Sequence, residues 1–134
     1  MAQISAVISS TDQHFRTHIT RILRSSGLSI AVAEERHVAN GTSPDLAIVD
    51  IRSGSTAAQG ALERLRAAWP TAAIFGVAAS SEPDQILQAM RAGANEFLAW
   101  PAHDTEAISL ADPFRAALKR TAERIGASRG GGSS

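Results

Sequence analysis

Short β-branched and aliphatic runs alternate along this chain with longer stretches in which apolar residues recur every three or four positions. That alternation is the signature of repeated strand–helix units. Residues 4–8 form the first run, and Ser9-Ser10-Thr11 after it supplies N-cap hydroxyls for a helix. The buried stripe of that helix is Phe15, Ile19, Ile22 and Leu23, with Arg16, Arg21 and Arg24 turned mostly outward and Gly27 as a left-handed stop. Residues 28–33 read as a second strand. From 34 to 44 the pattern weakens, and only a turn or two of helix fits before Asn40-Gly41 and Pro44.

Residues 46–49 are a continuous apolar run ending at Asp50, as suits a central parallel strand buried on both faces. A helix over 56–69 follows, with Leu62, Leu65 and Trp69 inward, and Pro70 ends it. A fourth strand at 73–77 leads to Ser81 as cap and Pro83 in the first turn of a helix. Its stripe is Ile86, Leu87, Ala89 and Met90, and Gly93 closes it. A short strand at 97–99 precedes Trp100-Pro101. The last helix is expected to start at Asp112-Pro113, bury Phe114, Ala117, Leu118 and Ile125, and stop at Gly126; whether 105–110 is a helical turn or irregular stays open.

Five strands with five helical slots, the second abbreviated, fit an α/β fold: a doubly wound five-stranded parallel sheet with helices on both faces. Right-handed crossovers force that arrangement. Ligand chemistry in such a sheet belongs outside the carboxyl ends of the strands. The residues leaving those ends are 9–12, 50–54, 78–81 and Trp100-Pro101.

Composition narrows the function. A chain of 134 residues suits one domain. Its 13 basic and 13 acidic side chains cancel, which argues against a nucleic-acid binder or a polybasic membrane-surface module. The absence of cysteine excludes disulfides, thiolate catalysis and zinc-thiolate sites. No apolar run approaches the ~20 residues of a membrane span, and Met1-Ala2-Gln3-Ile4 carries no basic signal-peptide start. A soluble, cytoplasmic domain is the expectation. No glycine-rich phosphate loop and no Ser/His/Asp arrangement can be placed at the strand ends, so an enzyme is not expected.

AMRAGANEFLAWP (89–101) is similar to the end of a CheY-like receiver domain, where an Ala-Gly-Ala turn leads through a fifth strand to a Lys-Pro pair. DLAIVD (45–50) resembles the third receiver strand with its terminal phosphoacceptor aspartate. The resemblance covers about residues 3–125, so a receiver-like domain is expected over 1–126, with 127–134 a flexible Gly/Ser linker or tail. It implies a flavodoxin/CheY-like fold in which an aspartate takes up a phosphoryl group beside Mg²⁺. An acidic pair after the first strand, a lysine after the fifth and a hydroxyl after the fourth support that chemistry.

Carried over by position, Asp50 is the phosphoacceptor counterpart. The acidic pair falls on Ser10 and Thr11, with Asp12 one residue late, where a single-residue shift returns one acid to the site. Ala78 stands at the hydroxyl position, and Trp100, before Pro101, at the lysine. Losing metal acids, lysine and hydroxyl together removes most of the stabilisation of a phosphoryl dianion. The chain therefore resembles a degenerate pseudo-receiver, with no cofactor expected. The alternative is a working phosphorelay receiver of a two-component system, with Asp50 and Asp12 holding Mg²⁺. Asp50 also reads simply as a strand-end carboxylate capping a backbone amide.

A narrower resemblance is to the N-terminal domain of TadZ/CpaE-type proteins of Flp (tight adherence) pilus assembly, which precedes an ATPase domain. It implies protein partners: a homodimer, or a pilus-assembly or signalling protein met through the fourth helix, fifth strand and fifth helix. Nucleic acid and membrane insertion are not expected. Trp100 either fills the vacated phosphate pocket, anchors a partner, or simply packs, and its bond to Pro101 is expected to be cis. His14 and His18 can share a helix face, but without a third ligand they read as solvated rather than metal-binding. His37 and His103 read as loop residues, Met90 and Phe97 as core.

Overall fold

The computed structural model describes residues 3–34 and 42–131. Its elements are β1 (Ile4–Ser9), α1 (Gln13–Arg24), β2 (Ile30–Glu34), β3 (Leu46–Asp50), α2 (Thr56–Ala68), β4 (Ala73–Ala78), α3 (Pro83–Ala92), β5 (Glu96–Ala99) and α4 (Ile108–Gly131). All strand pairs are parallel and the order is β2-β1-β3-β4-β5. The order reverses between β1 and β3, which places a crevice at their carboxyl ends. The abbreviated helix expected between β2 and β3 falls largely at 35–41, outside the described residues.

Side-chain alternation along the strands divides the core in two. Ile4, Ala6, Ile8, Leu46, Ile48, Phe75 and Val77 face α1 and α4, where they meet Phe15, Ile19, Leu23, Phe114 and Leu118. Val7, Ala47, Val49 and Ile74 face α2 and α3, where they meet Leu62, Leu65, Trp69 and Ala89. The inward stripes expected for α1 and α2 are buried.

Several local expectations are corrected. The cap of α1 is Asp12, which accepts from the His14 N–H at 2.9 Å, because β1 runs on through Ser9 and the Ser10 hydroxyl is used elsewhere. Glu82, not Ser81, occupies the cap position of α3 and makes no side-chain cap bond, leaving Pro83 at the helix start. On α3 the small residues Ala89 and Ala92 are buried, and Ala89 lies over Gly76. This close approach turns Leu87 (52% exposed) and Met90 (43%) to solvent, so Met90 is not a core residue.

The last helix begins at Ile108 rather than at Asp112-Pro113 and continues through Gly126 to Gly131. Asp104 starts it: its carboxylate accepts from the N–H groups of Ile108 (2.9 Å) and Ser109 (2.7 Å) and from the Ser109 hydroxyl. Those bonds satisfy orphan first-turn amides. Pro113 lies inside the helix, where its missing N–H forgoes one backbone bond. The Trp100–Pro101 bond is trans, not cis. Among the described residues no helix is long and apolar enough to cross a membrane.

Candidate functional site

The parallel register sets Ser9 of β1 beside Val49 of β3, so the segments leaving these strands run side by side. Ser10 and Asp50 are brought together there: the Ser10 hydroxyl donates to Asp50 Oδ2 at 2.7 Å. The same hydroxyl accepts from the Asp12 N–H at 3.0 Å. Thr11, the other acidic-pair position, is exposed.

The organising residue is one that sequence reasoning missed. Arg52, two residues beyond Asp50, donates from its backbone N–H (3.1 Å) and Nε (2.9 Å) to Asp50 Oδ1, and from Nη2 (3.0 Å) to Oδ2. Nη2 also reaches Asp12 Oδ2 at 2.8 Å. Asp12 and Asp50 thus share the Arg52 guanidinium. The amide-capping role foreseen for Asp50 is also present, in the bond from the Arg52 N–H. The available signal was the Asp50-x-Arg52 spacing at a strand end; among 13 basic side chains it did not stand out.

The rest of the guanidinium meets aromatic rings. Its central carbon lies 4.7 Å from the Phe15 ring centroid and 4.9 Å from that of Trp100, within cation–π range. Trp100 is 2% exposed and stacks on Phe15 with centroids 5.6 Å apart. Its indole N–H donates to the Asp104 carbonyl at 2.6 Å. Of the three readings of Trp100, the exposed anchor is therefore excluded, and the ring is a buried packing element beside Arg52. Ala78 is buried, and its carbonyl accepts from the Trp100 N–H at 2.7 Å. Pro101 is half-buried at the start of the β5–α4 connection.

Burial pushes the Asp50 carboxyl up, but the hydrogen bonds from Arg52 and Ser10 outweigh it and hold Asp50 below its ordinary value. The bond from Arg52 likewise lowers Asp12, and Asp50 raises Arg52. All three are therefore charged at neutral pH. The Mg²⁺ implied by the receiver fold does not fit this arrangement. The inward oxygens of Asp12 and Asp50 already bond one guanidinium, and a divalent ion among them would crowd a fixed cation.

His14 and His18 stand on one face of α1 with ring centroids 4.3 Å apart; His14 is exposed as expected, but His18 is not. His18 is buried edge-on to Trp100, and His14 Nε2 lies 2.9 Å from the Thr105 carbonyl oxygen. Among the described residues no group of three or more His, Cys, Asp or Glu gathers to hold a metal. His103 is exposed, Phe97 half-buried, and His37 lies outside the described residues.

No family model matches the sequence, and no curated protein matches it. Solved structures do. A pilus-assembly protein (CpaE) of Burkholderia thailandensis is similar at 26% identity and TM-score 0.71, over 90% of this chain and 98% of that one. A pilus-assembly-related protein of Burkholderia pseudomallei is similar at 25% identity and TM-score 0.71, over 90% of each chain. A response regulator of Thermotoga maritima, at 16% identity and TM-score 0.68 over 90% and 98%, shares the fold. The chain has the CheY-like receiver fold and resembles the CpaE pilus-assembly proteins.

Proposed function

We propose that this domain is a pseudo-receiver: a non-catalytic, cytoplasmic protein-interaction or dimerisation module of pilus assembly or signalling, whose output does not depend on phosphorylation of Asp50. The observation that carries this reading is the engagement of Asp50. Both of its oxygens accept hydrogen bonds from Arg52, and one also accepts from Ser10. A carboxylate attacking phosphorus must free an oxygen lone pair and then stabilise a dianion. Here Ala78 offers no hydroxyl and Trp100 no ammonium to receive that charge, and the donors on Asp50, Arg52 and Ser10, are already engaged with its carboxylate.

The similarity to CpaE proteins supports placement in pilus assembly. Leu87 and Met90, three residues apart and exposed on α3, support a protein-contact surface beside β5. The partner is a second copy of the chain or another pilus-assembly or signalling protein. Neither nucleic acid nor membrane insertion belongs to this reading.

The test is exposure of the full chain to acetyl phosphate or beryllofluoride with Mg²⁺, followed by intact mass and by ¹⁵N–¹H spectra. Unchanged mass and spectra are expected. A saturable response abolished by Asp50→Asn would overturn the reading and establish a working phosphorelay receiver.

A further inference from the structure

Arg52 joins two parts of the molecule that its neighbours in sequence do not. On one side its fork bonds the carboxylates of Asp12 and Asp50 at 2.8 to 3.0 Å. On the other its faces meet Phe15 and Trp100. Trp100 then holds the Asp104 carbonyl, and the Asp104 carboxylate caps the first amides of α4. A continuous series of contacts therefore runs from the acidic strand ends to the start of the last helix, with Arg52 as the link between its polar and aromatic halves.

We infer that Arg52 is a resident counter-cation: it occupies the position of a divalent ion between Asp12 and Asp50, and holds the site and the Trp100–Asp104 strap together without metal. The inference rests on the pseudo-receiver reading and adds the device that makes it permanent. Three features suit Arg52 to this task. A guanidinium stays protonated throughout the physiological range, so its charge cannot be titrated away. Its planar fork bonds both oxygens of Asp50 while Nη2 still reaches Asp12, a geometry that a lysine ammonium cannot copy. It is weakly hydrated and stacks on aromatic faces, so Phe15 and Trp100 can lie against it while Nε and Nη2 bond the carboxylates.

Mutual exclusion follows from size. Mg²⁺ demands oxygen ligands at about 2.0–2.1 Å in near-octahedral geometry. The oxygens facing inward from Asp12 and Asp50 are the ones that Arg52 nitrogens already contact. An incoming divalent ion would have to expel the guanidinium, leave it beside a second cation, and strip it from the Trp100 ring. The wild-type domain should accordingly ignore Mg²⁺, whereas removal of the guanidinium leaves two carboxylates facing one gap.

The experiment uses the full chain, wild type and Arg52→Gln, titrated with Mn²⁺ as a paramagnetic probe and Mg²⁺ as competitor. It follows the amides of Ser10, Asp12 and Asp50 and the indole N–H of Trp100, which is assigned against Trp69→Phe. Wild type should show no site-selective broadening. Arg52→Gln should show a shifted Trp100 indole signal without metal, and broadening around Asp12 and Asp50 that Mg²⁺ reverses. Its Tm should rise by roughly 4 °C at about tenfold excess of Mg²⁺ over Kd, while that of wild type stays put. Site-selective Mn²⁺ broadening in wild type, or a folded Arg52→Gln that binds no ion and keeps the native indole signal, overturns the inference. Should Arg52→Gln not fold, Arg52→Lys keeps the charge and loses the fork. It is expected to admit Mn²⁺, and full exclusion by Lys would overturn the argument from geometry. A wild type that excludes Mn²⁺ yet gains mass at Asp50 from acetyl phosphate overturns the pseudo-receiver reading and leaves the role of Arg52 standing. One that binds Mn²⁺ but gains no mass does the reverse.

Discussion

Replacing Asp50 by Asn keeps the side chain's shape and removes its charge, and the direction of the stability change discriminates between two kinds of acidic site. Where carboxylates face each other without a cation, the substitution relieves repulsion and stabilises. Here it should destabilise. Asp50 accepts three bonds from Arg52 and one from Ser10. An Asn amide retains one acceptor oxygen, and its NH₂ group then confronts the donors at the other position. About two charge-assisted bonds are lost, each worth roughly 1.5–3 kcal/mol. Releasing Asp50 from its burial penalty offsets part of this, and solvent reaching Arg52 (23% exposed, against 15% for Asp50) screens the rest. The net expectation is about 2 kcal/mol. Urea denaturation followed by circular dichroism at pH 7 measures it, and a cycle with Arg52→Met should give a coupling of about 1.5 kcal/mol. A neutral or stabilising Asp50→Asn, or a coupling under about 0.5 kcal/mol, would refute the ion-pair account. The contribution should persist down to pH 5. A carboxyl held below its ordinary 3.8 stabilises the fold above that pH and loses its effect only as pH falls through the lowered folded value.

Two further outcomes follow from packing and burial. Gly93 ends α3 at φ 117°, and a Cβ there would lie 2.6 Å from Arg66 Cγ and 2.8 Å from its Cβ, while Arg66 is held by its bonds to the Gly93 carbonyl. Gly93→Ala should therefore cost about 2 kcal/mol or more, and an Ala variant melting within about 1 °C of wild type would contradict this. His18 is held below its ordinary 6.5 by burial first, then by the charges of His14 and Arg21, with Glu106 and Asp104 opposing. The unfolded chain then binds more protons in the window below 6.5. Stability should fall as pH is lowered through 6.5 and level off beneath the folded value. Denaturation at pH 7.5 and 5.0 tests this, and a slope that survives in His18→Gln would assign it elsewhere.

How much was legible varies by residue, for physical reasons. The stripes Phe15–Ile19–Ile22–Leu23 and Leu62–Leu65–Trp69 follow from helical period alone, because a broad apolar face has one way to be buried. The stripe expected on α3, Ile86, Leu87, Ala89 and Met90, is buried only in part. Contact with Gly76 on the sheet buries the small Ala89 of that stripe, and Leu87 and Met90 turn outward. The start of α4 misled because Asp112-Pro113 is a sound local signal, but Asp104 satisfies the first-turn amides earlier in the chain. The sequence places Trp100 at the end of β5, yet its burial depends on Phe15, His14 and His18 of α1.

By itself, the order of residues determined the βα repeat, the strand ends at which chemistry must be sought, and the lack of ammonium and hydroxyl at Trp100 and Ala78. These are local or positional properties, and periodicity carries them. Only the tertiary structure decided what fills the space those losses leave. Arg52 acquires its role because β1 pairs with β3, bringing Ser10 to Asp50 and Asp12 to Arg52 across 40 positions of sequence. No propensity encodes that meeting. It arises from the parallel register of two buried strands, and from the pull of two carboxylates on the nearest guanidinium.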